Sequence, residues 1–238
     1  MNDDKLLGGK FYHIYNCGIN GMDLFRESGN YEHFLGLMDK YILPVAEIFA
    51  WVLMRNHFHL LVRINENIAY KYSLADRDPK DDSWFGEDKW ETFDLSPCQT
   101  NESVSKAIGI VNLPETFKIP NPNLHFSHLF NAYSKYFNKR YTRHGGLFER
   151  RFNLKHVGCV DYLKQMVLYI HNNPVHHKFC THPVEYAWSS YLTCISIKPT
   201  RLKRDAVLGW FDSKANFRQL HDKKVEFKKM DRWIDLKS

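Results

Sequence analysis

Two apolar runs, Ala46 to Met54 and His57 to Ile64, stand either side of the polar dipeptide Arg55-Asn56. That pattern constrains the chain most, because two β-type runs joined by a two-residue turn predict an antiparallel hairpin. Alternation along the second arm puts His57 and His59 on one face, with Phe58 and Leu60 on the other. Imidazoles at that spacing lie roughly 7 Å apart along a strand and can both reach one divalent cation. Burying two such groups without a task is costly. A His-x-His pair also occurs as exposed edge histidines or as hydrogen-bonded core histidines, so the pair by itself leaves those readings open.

The flanking sequence predicts how the hairpin is covered. Phe11 to Asn16 reads as a first strand ending in the turn cluster Gly18 to Gly21. Asn30 reads as the cap of a helix running to about Ile42, with Tyr31, Phe34, Leu35, Met38 and Ile42 as its apolar stripe. Residues from about 65 to 123 read as an acidic insertion without sustained periodicity, apart from a short helix near Glu102 to Val111. An amphipathic helix follows from about Ser127 to Tyr141, stopped by Gly145-Gly146. Asn153 to Val157 reads as a strand, and Asp161 as the cap of a helix to about Asn172 that Pro174 closes. Leu208 to His221 reads as one or two small helices in a basic tail. The expected fold is therefore α+β: an antiparallel sheet with helices on one face, plus a C-terminal helical extension.

Composition narrows the function classes. The chain is 44% hydrophobic and 15% aromatic, with a net charge of +6. Acids outnumber bases between Asp76 and Asp94, so the remainder is more basic than the total. Basic residues interleaved with aromatics suit a nucleic-acid surface, although an ordinary solvated basic surface has the same composition. Five scattered cysteines without a Cys-x-x-Cys predict reduced thiols. With no apolar signal core and no membrane-length apolar run, the expectation is a cytoplasmic protein without a membrane partner.

On the helix after Asp161, Tyr169 and Asn173 are four residues apart and share a face. A phenol near a metal can act as a nucleophile, and an amide oxygen one turn away can be a third ligand. Free tyrosine has a pKa near 10, so at neutral pH it needs a cation that stabilises the developing charge. By spacing alone Tyr133, Tyr136, Tyr141 and Tyr162 are equally eligible. His171 lies roughly 200° around the helix from Tyr169 and is excluded from the site. His176, His177, Cys180 and His182 match no common zinc spacing.

Five segments together carry a family resemblance: Phe11 to Asn16, Asn56 to Val62, Arg143 to Phe152, Tyr169 to Val175, and Trp188 to Tyr191. In this order they resemble the single-tyrosine HUH transposases, closest to the REP-associated tyrosine transposases. The resemblance implies a ferredoxin-like or RRM-like sandwich with metal-binding His57 and His59 on a central strand. It implies Tyr169 as nucleophile and Asn173 as the polar residue completing the metal site. It further implies magnesium or manganese as the cofactor, with no small-molecule cofactor besides. The implied substrate is single-stranded DNA beside a hairpin, cut to leave a 5′-phosphotyrosine and a free 3′-hydroxyl. The chain departs from the family pattern at Arg55 (usually proline), Cys17 (often arginine) and His177 (usually alanine). The transposase-like domain is expected over residues 1–191, with the insertion inside it and a basic extension over 192–238.

Secondary expectations attach to other residues. His13, on the first strand, is a possible accessory to the metal. Arg55, Arg143, Arg150 and Arg151 are candidate DNA contacts. A monomer is favoured, and a helix-sharing dimer is the alternative. The rival activities are a metal-dependent phosphodiesterase without a covalent step, a non-catalytic hairpin-binding protein, and an RNA-binding module of RRM type.

Overall fold

The computed structural model describes residues 5–73, 91–94, 115–149 and 151–223. In chain order they form strand β1 (Phe11–Cys17), helix α1 (Ser28–Tyr41), and strands β2 (Ala46–Leu53) and β3 (His57–Ile64). Strands β4 (Ile68–Ser73), β5 (Glu91–Asp94) and β6 (Glu115–Lys118) follow, then helix α2 (Pro122–Arg140) and strand β7 (Asn153–Val157). Helices α3 (Val160–His176), α4 (Tyr191–Ile195), α5 (Arg204–Trp210) and α6 (Lys214–His221) complete the described chain.

The main sheet is antiparallel, with strand order β2-β3-β1-β7. That order, built from a β-α-β-β-α-β connection, is a ferredoxin-like sandwich. The expected α+β class and antiparallel sheet are both present. Helices α1 and α2 pack together on one face, where Phe34 and Phe130 meet Phe58. Helix α3 takes the opposite face, so helices cover both sides where one covered side was expected. The residues that require this are His57, His59 and Leu61 of β3 with His13 and Tyr15 of β1, a face that needs its own cover. On that face Val52 and Ala50 stand opposite His59 and Leu61.

A bulge between Ile48 and Ala50 shifts the register of β2. Phe49 at the bulge meets Phe11 and Trp210, whose rings lie 5.0 and 5.2 Å from it. Through this contact the C-terminal helices join the sheet: Leu202, Val207, Phe211 and Phe217 belong to the same buried core. The free edge of β2 is covered too. Leu53 N–H donates to Trp188, Ser190 N–H to Trp51, and Lys203 N–H to Ile48, which removes an open sheet edge.

Some boundaries differ from those expected. Helix α1 begins at Ser28, and Asn30 is fully buried inside it. Its Oδ1 accepts from the Arg26 N–H and the Tyr141 hydroxyl rather than capping a helix. Helix α2 starts at Pro122, earlier than expected, because the Asn121 side chain caps it by accepting from Asn123 N–H. Helix α3 runs through Pro174 to His176. Close to the end of the helix, a proline removes only one intrahelical bond. The described parts of the insertion form a separate sheet of order β5-β4-β6 where no regular structure was expected. The expected helix near Glu102 to Val111 lies outside the described residues.

Candidate metal and phosphotransfer site

Strand β3 offers His57 and His59 from one face, and α3 docks over that face with Asn173. Asn173 Oδ1 lies 3.0 Å from His57 Nε2, and its Nδ2 lies 3.3 Å from His59 Nε2. Both ring nitrogens therefore converge on one amide. Tyr169, one turn earlier on α3, sets its ring edge-on to His59 at 5.5 Å and to His13 at 6.2 Å. The tyrosine and the histidines thus meet within one chain. Tyr169 is only 2% exposed, so a phosphate reaches it only if the phenol swings or the wall over it parts.

Burial lowers the pKa of every imidazole in the cluster. His13 falls to about 3 through burial alone. His57 falls to about 4, again mainly by burial, with the Asn173 contact opposing and nearby His177 assisting. His59 is held well below its usual value by burial and then by the neighbouring His13, His57 and His177. All three are neutral at pH 7, the state in which a ring nitrogen has a lone pair for a cation.

The hydrogen bonds of the cluster do not close. His57 Nδ1 lies 2.8 Å from Asn56 Oδ1, while its Nε2 faces Asn173 Oδ1. A neutral imidazole has one N–H and can serve only one of two oxygens. Either an amide turns end for end, or a cation between His57 Nε2 and Asn173 Oδ1 relieves the clash. His59 adds a second constraint. With Nε2 accepting from the Asn173 amide, its proton sits on Nδ1 and donates to His13 Nε2 at 3.0 Å. The His13 proton is then on Nδ1, which is buried and has no partner. An orphaned N–H of this kind costs about 1–3 kcal/mol.

The donor set fits a divalent cation. His57 Nε2 and His59 Nε2 both face the Asn173 side-chain amide, His57 its oxygen and His59 its nitrogen, and Asn56 and His13 hold the two outer nitrogens, as the outer partners of metal-bound histidines would. Two nitrogens and one oxygen favour manganese over magnesium, which prefers all-oxygen surroundings. His13 turns its Nε2 onto His59 and is an orienting neighbour, not a third imidazole at that position. Among the described residues no group of three or more His, Cys, Asp or Glu side chains could hold a metal; a third donor beside the two imidazoles would be the Asn173 amide.

The remaining expected site residues are dispersed. Arg55 is exposed and pairs with Asp23 at 2.8 Å. Arg143 is tied inward, donating to Asn138 Oδ1 and the Gly146 carbonyl. Arg151 lines a polar cavity of about 470 Å³ with Asn16, Ser127 and Asn131, away from Tyr169. Arg150 lies outside the described residues. Tyr133, eligible by spacing, is spent on a 2.6 Å bond to the Leu24 carbonyl. His177 sets its ring 5.1 Å from His57, while His182 bonds Asp222, so the His176–His182 segment forms no joint site. Asn56, Tyr15 and His177 were not expected in the site. Alternation from His13 marks Tyr15, and the four-residue step from Asn173 marks His177.

No protein-family model matches the chain, and no curated protein matches it either. Among solved structures, a REP-associated tyrosine transposase bound to a REP hairpin aligns with 84% of this chain and 88% of its own. The TM-score is 0.49 and the identity 14%, too distant a likeness to assign an activity. The four described cysteines are free thiols. No described helix is long and apolar enough to cross a membrane.

Proposed function

We propose that this chain is a metal-dependent, single-stranded DNA nicking and strand-transfer enzyme of the transposase type, acting beside DNA hairpins. The carrying observation is that His57 Nε2 and His59 Nε2 both meet the Asn173 amide, with Tyr169 one helical turn away and its ring against His59. The order of the five sequence segments supports the same reading.

His57, His59 and Asn173 hold the cation, Mg²⁺ or Mn²⁺. A bound divalent cation supplies Lewis-acid polarisation of the scissile phosphate and stabilises its developing charge. The residues of the chain do the rest. His13 fixes the His59 tautomer, Asn56 fixes that of His57, and α3 carries the nucleophile and third ligand as one rigid unit. The Tyr169 oxygen attacks phosphorus and gives its proton to solvent, the source of the proton that the leaving oxygen takes up. The bond from phosphorus to the 3′ oxygen breaks, and that oxygen leaves as a hydroxyl after gaining a proton. The product is a 5′-phosphotyrosine, which conserves the bond for rejoining.

Incubation with a labelled single-stranded hairpin oligonucleotide and Mn²⁺ tests this reading. The expected result is a denaturation-resistant adduct that Tyr169→Phe abolishes. Cleavage without an adduct, surviving Tyr169→Phe, would favour a phosphodiesterase; binding without cleavage would favour a hairpin-binding protein.

A further inference from the structure

Beside the proposed metal site, an open groove of about 510 Å³ runs along the turn that precedes His57. A column of stacked rings leads into it. Phe25 and Tyr31 stack at 4.6 Å, and Tyr31 and Trp188 at 4.4 Å with their planes 11° apart. Phe25 is buried, whereas Trp188 is part-exposed where the column meets the groove. Phe179, 52% exposed, stands on the same groove. Phe179 meets the Tyr186 ring edge-on at 6.3 Å and stays half exposed beside the stacked column, as a platform would.

The groove is also cationic. Arg55 and Arg26 both line it and both are exposed, although the Arg26 guanidinium lies over the Tyr141 and Phe137 rings at 4.7 and 5.1 Å, outside the groove, which leaves Arg55 as the groove's cation. Asp23 is the acid there, and it holds Arg55 through one contact, Nη2 to Oδ2 at 2.8 Å. A guanidinium carries five N–H donors, so this pair orients Arg55 and leaves donors for an incoming anion. Aromatic faces with arginines beside them are the chemistry of single-stranded nucleic acid, where rings stack bases and cations meet phosphates.

Two chain links tie the groove to the proposed catalytic cluster. Arg55 is two residues from His57. Phe179 is two residues from His177, whose ring meets His57. The groove therefore adjoins the His57 cluster through two short stretches of chain.

Resting on the DNA reading above, we infer that this groove is a stacking subsite for one unpaired nucleotide of the single-stranded substrate. Its base lies on the Trp188 and Phe179 rings and its phosphate on Arg55. The subsite sets which nucleotide is presented to the tyrosine, without taking part in the chemistry.

Binding without cleavage tests it. The probe is a fluorescein-labelled, hairpin-free oligodeoxynucleotide, measured by anisotropy in EDTA with full-length Tyr169→Phe protein. A series then carries one abasic nucleotide at successive positions. Base-aromatic stacking of this kind predicts that Phe179→Ala or Trp188→Ala weakens binding about 5- to 150-fold. One abasic position weakens the parent protein by the same factor and has no further effect on the variants. Phe179 is exposed, so its variant keeps the test valid if Trp188→Ala fails to fold. Equal binding by Phe179→Ala and its parent, or abasic effects that persist in the variant, would overturn the subsite. An adduct formed by the wild-type protein together with that result would leave the nicking reading standing. A single sensitive position without any adduct would keep the subsite and remove the nicking reading. No binding of any oligonucleotide would overturn both.

Discussion

Two histidine clusters lie on opposite sides of α3, and they differ in how their hydrogen bonds close. On the side away from the sheet's histidines, His221 Nδ1–H donates to the Phe217 carbonyl at 2.7 Å. Its Nε2 therefore accepts from His171 Nδ1–H at 2.9 Å, and His171 Nε2 accepts from the Ser190 hydroxyl at 2.8 Å. Ser190 Oγ in turn accepts Trp51 N–H. Every nitrogen has a partner and one tautomer satisfies all of them. In the cluster of His13, His57 and His59, His13 Nδ1 is left without a partner whichever way the Asn173 amide faces, and with the amide oxygen towards His57 a lone pair also meets that oxygen. Burial is similar on both sides, with His13, His59, His171 and His221 all nearly inaccessible. Burial therefore does not distinguish a structural histidine from a ligand, whereas closure of the bonds does.

The largest effect expected from this contrast is on stability. His221→Ala strips His171 of its acceptor and opens a cavity among Tyr191, Phe211 and Phe217, whose rings surround it. Urea unfolding should show a loss of roughly 2–4 kcal/mol, with Mn²⁺ affinity unchanged. The same residue supplies the pH arm. Burial holds the His221 pKa down at about 4 in the fold, against roughly 6.5 when unfolded. Its contribution is complete above the unfolded value and is lost as pH falls towards 4, because the unfolded chain takes up the proton first. His221→Phe should flatten the stability profile over that window, read by urea midpoints at successive pH values.

The metal cluster should respond to a ligand instead. Mn²⁺ at 100 times its dissociation constant should stabilise the wild-type fold by about 2.7 kcal/mol, measured by urea unfolding with and without the ion. His59→Ala should show no such gain. Removing the orienting neighbour should do less: His13→Ala lowers Mn²⁺ affinity about 10- to 100-fold by calorimetry, the range for an outer partner of a metal-bound histidine. The smallest effect concerns DNA. Arg151→Ala should reduce the slope of log affinity against log salt by about 1, seen in anisotropy titrations, without altering metal binding.

Legibility in the sequence followed the range of the interaction. The β2–β3 hairpin and β7 were readable because alternation and a two-residue turn are local signals. Local periodicity likewise put His57 with His59, and Tyr169 with Asn173. Asn30 misled because a residue suited to capping lies inside the helix, where its oxygen takes the Arg26 N–H four residues back and the distant Tyr141 hydroxyl. The start of α2 was hidden because its cap, Asn121-Pro122, lies at the end of an apparently irregular stretch. The second cover on the sheet followed from burying the histidine face, which alternation shows but does not assign to a helix. The His171–His221–Ser190 chain had no local signal, since its members meet only after α6 folds back on α3. Asn56 was adjacent to the pair, yet its role depends on a rotamer that spacing does not encode.

The most direct test of the central claim is a Mn²⁺ titration followed by electron paramagnetic resonance on wild-type, His59→Ala and His221→Ala proteins. One bound ion per chain is predicted for the wild-type and His221→Ala proteins, and none for His59→Ala. No bound Mn²⁺ in the wild-type protein, or binding lost in His221→Ala and kept in His59→Ala, would contradict the account.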